Sequence, residues 1–253
     1  VLNSPVNPTG TAFDAATLGA ICDAVVAENA RRPPEEPPLY LLYDQVYWML
    51  TFGGLSHVVP QVLRPEMAPY TILVDGISKV FAATGLRVGW VCPPANLSAQ
   101  FSAFLGHVGA WAPRPAQVGT AEMLADPEAV AAARRTMQTG LARRLDLLHA
   151  GMLAMQRDGL PVEVVAPSGG MYLSVRFGPP KGRGTGGQTL DSTEVMRCYL
   201  LEQAGLAAVP FEAFGFDGEP GWFRLSVGSV SESAIGEVLV RLRGALERLD
   251  VEP

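Results

Sequence analysis

Val74-Asp75-Gly76-Ile77-Ser78-Lys79-Val80-Phe81-Ala82-Ala83-Thr84-Gly85-Leu86-Arg87-Val88-Gly89-Trp90 is the stretch from which both the fold and the chemistry of this chain are read. Lys79 follows a short apolar strand behind a small Gly/Ser turn. Arg87 stands eight residues further on, where another strand is predicted to begin. This order places an amine and a guanidinium around one pocket at the end of a sheet. A wholly or partly buried lysine of lowered pKa is what Schiff-base chemistry with a carbonyl cofactor requires. An arginine beside it grips a phosphate through bidentate, charge-assisted hydrogen bonds. Pyridoxal 5'-phosphate (PLP), a phosphate-bearing aldehyde, satisfies both groups.

Working outward, residues 39–43 form a continuous apolar run ending at Asp44, and residues 71–74 form a second ending at Asp75. Residues 87–92 read as a third such strand, closed by Pro93-Pro94. Continuous apolar runs suit buried parallel strands. Apolar residues at helical spacing predict a helix over 13–29, with Thr11 or Asp14 as its cap, and further helices over 95–105 and 115–124. Strands alternating with helices give an α/β sheet whose ligands sit at the carboxyl ends of the strands. A long helix is predicted over 127–157. At 1.5 Å per residue it would span roughly 45 Å, enough to bridge two domains. Beyond it come strands over 162–165, 171–177, 206–209 and 222–227, helices over 192–204 and 231–249, and a loop over 179–188. The expected division is a partial large domain over 1–140 and a small α+β domain over 141–253.

Composition narrows the function. The 253 residues are 48% hydrophobic and 17% charged, ample for a packed core and unlike a disordered chain. A net charge of -6 speaks against nucleic acid as the main partner. No apolar run approaches the ~20 residues of a membrane helix. Cys22, Cys92 and Cys198 are scattered without metal-ligand spacing, which points to a reducing, cytoplasmic setting. His57, His107 and His149 lack zinc-site spacing and read as packing or surface residues.

Each remaining candidate has an ordinary reading beside the functional one. Asn3-Ser4-Pro5-Val6-Asn7-Pro8-Thr9-Gly10 is a proline-stiffened turn, in which the Asn7 amide is also a donor for a phenolate oxygen. Asp44, in Tyr43-Asp44-Gln45-Val46-Tyr47, is a strand-end aspartate that also suits a pyridinium nitrogen. Tyr47 is either a core aromatic or a second donor to the oxygen that Asn7 would reach. Arg224 lies within an otherwise apolar strand, where an arginine needs a carboxylate, from an internal salt bridge or from a substrate. Arg114 and Arg176 are more economically placed on the surface than on a second substrate carboxylate.

Taken together, NSPVNPTG, YDQVY, DGISKVFAATGLRVGW and RLSVG resemble, in order, the motifs of the PLP-dependent aminotransferases of class I/II, fold type I, like aspartate aminotransferase. The resemblance spans residues 3–228. It implies an α/β fold: the C-terminal part of a fold type I large domain, mainly parallel sheet with flanking helices, plus a small α+β C-terminal domain. It further implies Lys79 as the Schiff-base lysine that moves the substrate's α-proton, with Asp44 on the pyridinium nitrogen. Asn7 and Tyr47 would meet the ring oxygen, Ser78 and Arg87 the phosphate, and Arg224 the substrate α-carboxylate. The expected partners are an amino acid and a 2-oxo acid, with a homodimer for the complete protein.

Two departures stand out. Gly76 occupies a position where many relatives carry a hydroxyl, so one phosphate contact is expected to be missing. The chain opens at Val1-Leu2-Asn3 and reads as lacking the segment that the family places before this motif, so exposed sheet edges and an uncovered apolar face are expected. Two rival readings remain: a PLP-dependent lyase or decarboxylase using the same lysine and aspartate, and a catalytically silent interaction module.

Overall fold

The computed structural model describes residues 1–178, 182–183 and 189–251. The chain divides into two compact units. The first comprises Val1–Val6, Ala12–Gln138 and Ser168–Gly170; the second comprises Asn7–Thr11, Thr139–Pro167 and Met171–Pro253.

The sheet of the first unit consists of β1 (Leu2–Asn3), β2 (Leu41–Asp44), β3 (Thr71–Gly76) and β4 (Gly89–Cys92), hydrogen-bonded in that order. β1 and β3 both run parallel to β2, with Asp44 registered against Asn3 on one side and Val74 on the other. Helix α1 (Ala15–Arg31) covers this sheet. Its cap is Asp14, whose carboxylate accepts from the Thr17 N–H at 2.7 Å and so satisfies a donor that the first turn leaves orphaned. Leu18, Cys22 and Val25 recur along one side of α1 and are buried with Leu41, Tyr43 and Met67.

The strand predicted over 87–92 differs from expectation. β4 starts only at Gly89, and it runs antiparallel to β3, with both end residues exposed. Arg87 closes a 3-10 turn (Thr84–Leu86) in the left-handed region at φ 57°. Without a crossover helix between β3 and β4, the chain can only reverse direction. The short helix α2 (Pro60–Leu63) precedes β3. After β4 come α3 (Ser98–Val108), α4 (Arg114–Leu124) and α5 (Pro127–Arg157). No residue of α3 is buried, and Phe104, Val108 and Trp111 are exposed.

Helix α5 has the predicted bounds; residues to Gln138 belong to the first unit and those from Thr139 to the second. Leu141, Leu145, Leu148, Met152 and Met155 form its buried stripe at helical spacing. The second unit carries a fully antiparallel sheet of β5 (Val162–Val164), β6 (Tyr172–Phe177), β9 (Val209–Pro210) and β10 (Trp222–Ser226), in the order β5-β6-β10-β9. A strand was expected over 206–209, but pairing begins only at Val209. Of the stretch 179–188, predicted as a loop, only Gly182 and Arg183 are described. They form β7, which pairs with β8 (Thr189–Leu190) and β11 (Asp250–Val251); the rest lies outside the described residues. Helices α6 (Thr193–Ala204) and α7 (Glu232–Leu246) complete the unit, each capped by a serine, Ser192 and Ser231. Among the described residues, no helix is long and apolar enough to cross a membrane.

Gly76 at the end of β3 has a structural reason. A Cβ there would meet the Val88 carbonyl oxygen at 3.0 Å and the Gly89 Cα at 3.1 Å, both backbone atoms that cannot swing aside. Gly76→Ala is therefore expected to destabilise the protein by about 1–3 kcal/mol, the range for overpacking. Urea unfolding checks this; an unchanged midpoint would mean that β3 and β4 part without cost.

Candidate active site

Asp44 ends β2 and is half-buried. Its backbone carbonyl accepts from Ser4 N–H at 3.0 Å and from the Asn3 side-chain amide at 3.1 Å. One carboxylate oxygen, Oδ1, accepts from the Val46 N–H at 3.0 Å, an Asx turn that swings the chain away from the sheet. The carboxylate is thus anchored through one oxygen at the carboxyl end of a parallel strand. Tyr47 lies in the turn that follows and is buried.

Ser78 and Lys79 follow β3 in a turn held by two backbone hydrogen bonds, from Phe81 N–H to the Ile77 carbonyl and from Ala82 N–H to the Lys79 carbonyl. Ile77 and Val80 are buried on either side of them. These two apolar anchors leave Ser78 and Lys79 half-buried between them. Arg87 is exposed and donates from Nη1 to the Thr84 carbonyl at 3.0 Å. The first unit therefore offers an amine, a carboxylate, a hydroxyl and a guanidinium. That donor set fits an aldehyde, a pyridine nitrogen and a phosphate carried by one small molecule.

Asn7 and Arg224 belong to the second unit and meet each other. Arg224 Nη1 donates to Asn7 Oδ1 at 2.8 Å, which engages the acceptor arm of the Asn7 amide. The guanidinium carbon sits 4.6 Å from the centre of the Tyr172 ring and 4.8 Å from that of Phe214. Its Nε is buried without a hydrogen-bond partner, and no carboxylate among the described residues pairs with it. Two aromatic faces thus take the place of an internal salt bridge and hold the cation. The segment carrying Asn7 is tied down by the Ser174 hydroxyl, which donates to the Thr9 carbonyl at 2.8 Å. Gly10, at φ 72°, lies so close to Tyr172 that a Cβ would overlap its carbonyl oxygen. Phe214 also lines a cavity of about 430 Å³ together with Phe211, Phe216, Trp222 and Thr9. Of the other arginines, Arg176 pairs with Glu163 at 3.2 Å and Arg114 is exposed.

Sequence reasoning gave no role to Tyr172 or Phe214, whose positions along the chain carry no motif of their own. It also passed over Asp75, although an aspartate closing a buried strand just before a glycine is a visible signal. Asp75 is only 7% exposed, and burial, with the Asp44 charge as a lesser cause, raises its carboxyl to about 6. Its Oδ2 accepts from Gln45 Nε2 at 3.0 Å, and the Gln45 Oε1 lies 3.1 Å from His57 Nε2. Burial lowers the imidazole to about 4.

Comparisons with known proteins find relatives in sequence and in fold. The aspartate aminotransferase of Rhizobium meliloti (strain 1021) is 30% identical over 250 residues, which cover 98% of this chain and 56% of the relative. The aspartate/prephenate aminotransferase of Thermus thermophilus is 31% identical over 258 residues, covering 98% and 54% respectively. In the crystal structure of the Rhizobium meliloti aspartate aminotransferase, 58% of that chain superposes on 98% of this one with a TM-score of 0.84 at 27% identity. The chain thus spans a little over half the length of the relatives it matches. The family model "Aminotransferase class I and II" matches residues 1–242, and the chain belongs to that family.

Proposed function

We propose that this chain serves pyridoxal-phosphate-dependent amino transfer between an amino acid and a 2-oxo acid. The observation that carries the reading is the placement of Asp44 at the end of β2 and of Lys79 in the turn just past the adjacent parallel strand β3. Membership of the aminotransferase family supports it. The cofactor, when bound, supplies an electron sink conjugated to the substrate's α-carbon. Lys79 would provide the amine that holds the cofactor, and its Nζ would carry the substrate's α-proton. Asp44 keeps a proton on the pyridine nitrogen with the carboxylate oxygen not used in its Asx turn. Tyr47 and Asn7 donate to the ring oxygen, and Ser78 and Arg87 hold the phosphate. Arg224, braced between Tyr172 and Phe214, grips the substrate α-carboxylate. We further propose that the working protein is a cytoplasmic homodimer whose partial large domain spans 1–140 and whose small domain spans 141–253, joined through α5. The three free cysteines suit a reducing compartment. Elimination or decarboxylation would use the same lysine and aspartate, and nothing in the geometry favours them.

Treatment of the chain with pyridoxal phosphate and borohydride, followed by peptide mapping, is expected to give one adduct, on Lys79. Scattered labelling of surface amines would overturn the assignment. Lys79→Ala is expected to lower the rate of glutamate formation from an amino acid and 2-oxoglutarate by at least ~10²–10⁴-fold, the usual share of a positioned acid/base. Asp44→Ala should retain the cofactor and lose turnover. Ammonia released without glutamate would instead identify a lyase.

For Arg224→Gln, KM for the amino donor is expected to rise about 10- to 100-fold, the worth of a charge-assisted hydrogen bond. Steady-state kinetics read this directly, and an unchanged KM would place the carboxylate elsewhere.

A further inference from the structure

The site described above employs Asp44 and leaves a second aspartate unused at the same end of the sheet. Asp75 accepts at Oδ1 from the Gly76 N–H at 2.7 Å and at Oδ2 from Gln45 Nε2 at 3.0 Å. Gln45 directly follows Asp44, and its own N–H is held by the Val74 carbonyl at 3.0 Å. The far end of its amide, Oε1, meets His57 Nε2 at 3.1 Å. His57 is packed beside the rings of Tyr43 and Trp48, at centroid separations of 6.0 and 6.4 Å. Side-chain chemistry fixes the direction of this relay. An ionised carboxylate only accepts, so Gln45 must turn its nitrogen to Asp75 and its oxygen to His57, and a neutral imidazole must then carry its proton on Nε2.

We infer that Asp75 is a positioning residue: through Gln45 it sets the tautomer of His57 and clamps the strand end that bears Asp44 to the turn that leads to Lys79. The inference rests on the roles proposed for Asp44 and Lys79. The clamp adds a side-chain link to two strand ends already paired through the backbone: the residue after Asp44 on one strand, and the residue before Gly76 on the next. It also responds to protons. The groups facing Asp75 are the Asp44 charge, the Gln45 amide, the Trp48 side chain and the Gly76 N–H, with His57 beyond the amide. Burial holds Asp75 near 6 and His57 near 4, so between these values Asp75 gains a proton while the imidazole is still neutral. A protonated Asp75 donates to Gln45 Oε1, the amide turns over, and His57 must accept at Nε2 with its own proton on Nδ1.

The test is imidazole ¹⁵N spectroscopy of the 253-residue chain, with His57 assigned by loss of its signal in His57→Gln, alongside borohydride labelling of Lys79. The wild type is expected to hold the Nε2–H tautomer at about pH 8 and the Nδ1–H tautomer at about pH 5, on either side of the buried carboxyl's titration. In Asp75→Asn, Oδ1 still serves Gly76 and the amide nitrogen faces Gln45, so Nδ1–H is expected at both pH values. The pyridoxal phosphate concentration for half-labelling of Lys79 is expected to rise about tenfold in that variant, as for loss of a supporting contact around a bound ligand. The same tautomer in variant and wild type at about pH 8, or an unchanged labelling midpoint, overturns the inference. Gln45→Leu cuts the relay while keeping Asp75, and it is expected to abolish the change of tautomer with pH. A change that persists there also overturns the inference. Wild-type chain that shows the expected tautomers without labelling Lys79 would overturn the cofactor reading instead, leaving the hold of Asp75 on Gln45 and His57 intact.

Discussion

Strands β2 and β3 run parallel, with Asp44 opposite Val74, so Asp44 at the end of β2 lies one step from Asp75, the next-to-last residue of β3. Two carboxylates at neighbouring strand ends repel, and a protein interior cannot leave both ionised without donors. The fold resolves this by giving them different surroundings. Asp44 is half-buried and spends one oxygen on the Val46 N–H, which starts the turn carrying Tyr47. Asp75 is buried and takes its donors from Gly76 and Gln45. Burial raises the Asp75 carboxyl to about 6, whereas Asp44 keeps contact with solvent, so two like groups sit in unlike surroundings. Much of the local architecture follows from it: the glycine after Asp75, the glutamine after Asp44, and the half-buried histidine that completes the glutamine's hydrogen bonds.

The second unit handles a half-buried cation by different means. Along β10, Phe223 and Leu225 point to the core, and Trp222 and Arg224 take the other face, the period of two that a strand imposes. An arginine in that alternation needs compensation for lost hydration. It receives the faces of Tyr172 and Phe214, together with the Asn7 amide oxygen. Neither ring neutralises the charge, which stays available to an anion. The strand itself is fastened at its far end, where Arg144 of α5 donates to the Val227 carbonyl at 2.8 Å and the Val230 carbonyl at 3.2 Å.

What could be read from the sequence follows from how local each signal is. Helix α5 and the core side of α1 were legible because their apolar spacing repeats over many turns. Lys79, Asp44 and Arg224 could be singled out as candidates because each sits in a contiguous motif with a chemical logic. The direction of β4 was not, since an apolar run says that a strand is buried or paired and not which way it runs; the turn over Thr84–Leu86 decides that. The two-residue strand β1 lies below any periodicity. The Tyr172–Arg224–Phe214 stack and the Asp75–Gln45–His57 relay were out of reach for a stronger reason. Their members come from separate elements, and only sheet register and loop closure bring them together. His57 could be recognised as a packing residue, and the packing is real, but its hydrogen bond to Gln45 depends on a turn that the sequence does not advertise.

The relay also has a thermodynamic signature that distinguishes it from ordinary packing. Asp75 has its carboxyl raised in the fold from 3.8 to about 6, so its contribution to stability is complete below about pH 4 and is lost as pH rises through 6. His57, lowered from 6.5 to about 4, behaves in the opposite sense: its contribution is complete above about 6.5 and is lost as pH falls through 4. Between about 4 and 6 neither group is charged in the fold, and the two terms change with pH in opposite senses and largely offset each other. At neutral pH the fold therefore keeps a buried carboxylate ionised against its own stability. An apolar residue at position 75 would avoid that cost, but it could not hold Gln45 or receive the Gly76 N–H. Destabilising charge retained at the end of a parallel strand, next to the residues proposed for chemistry, is the pattern expected where geometry is maintained for function rather than for folding.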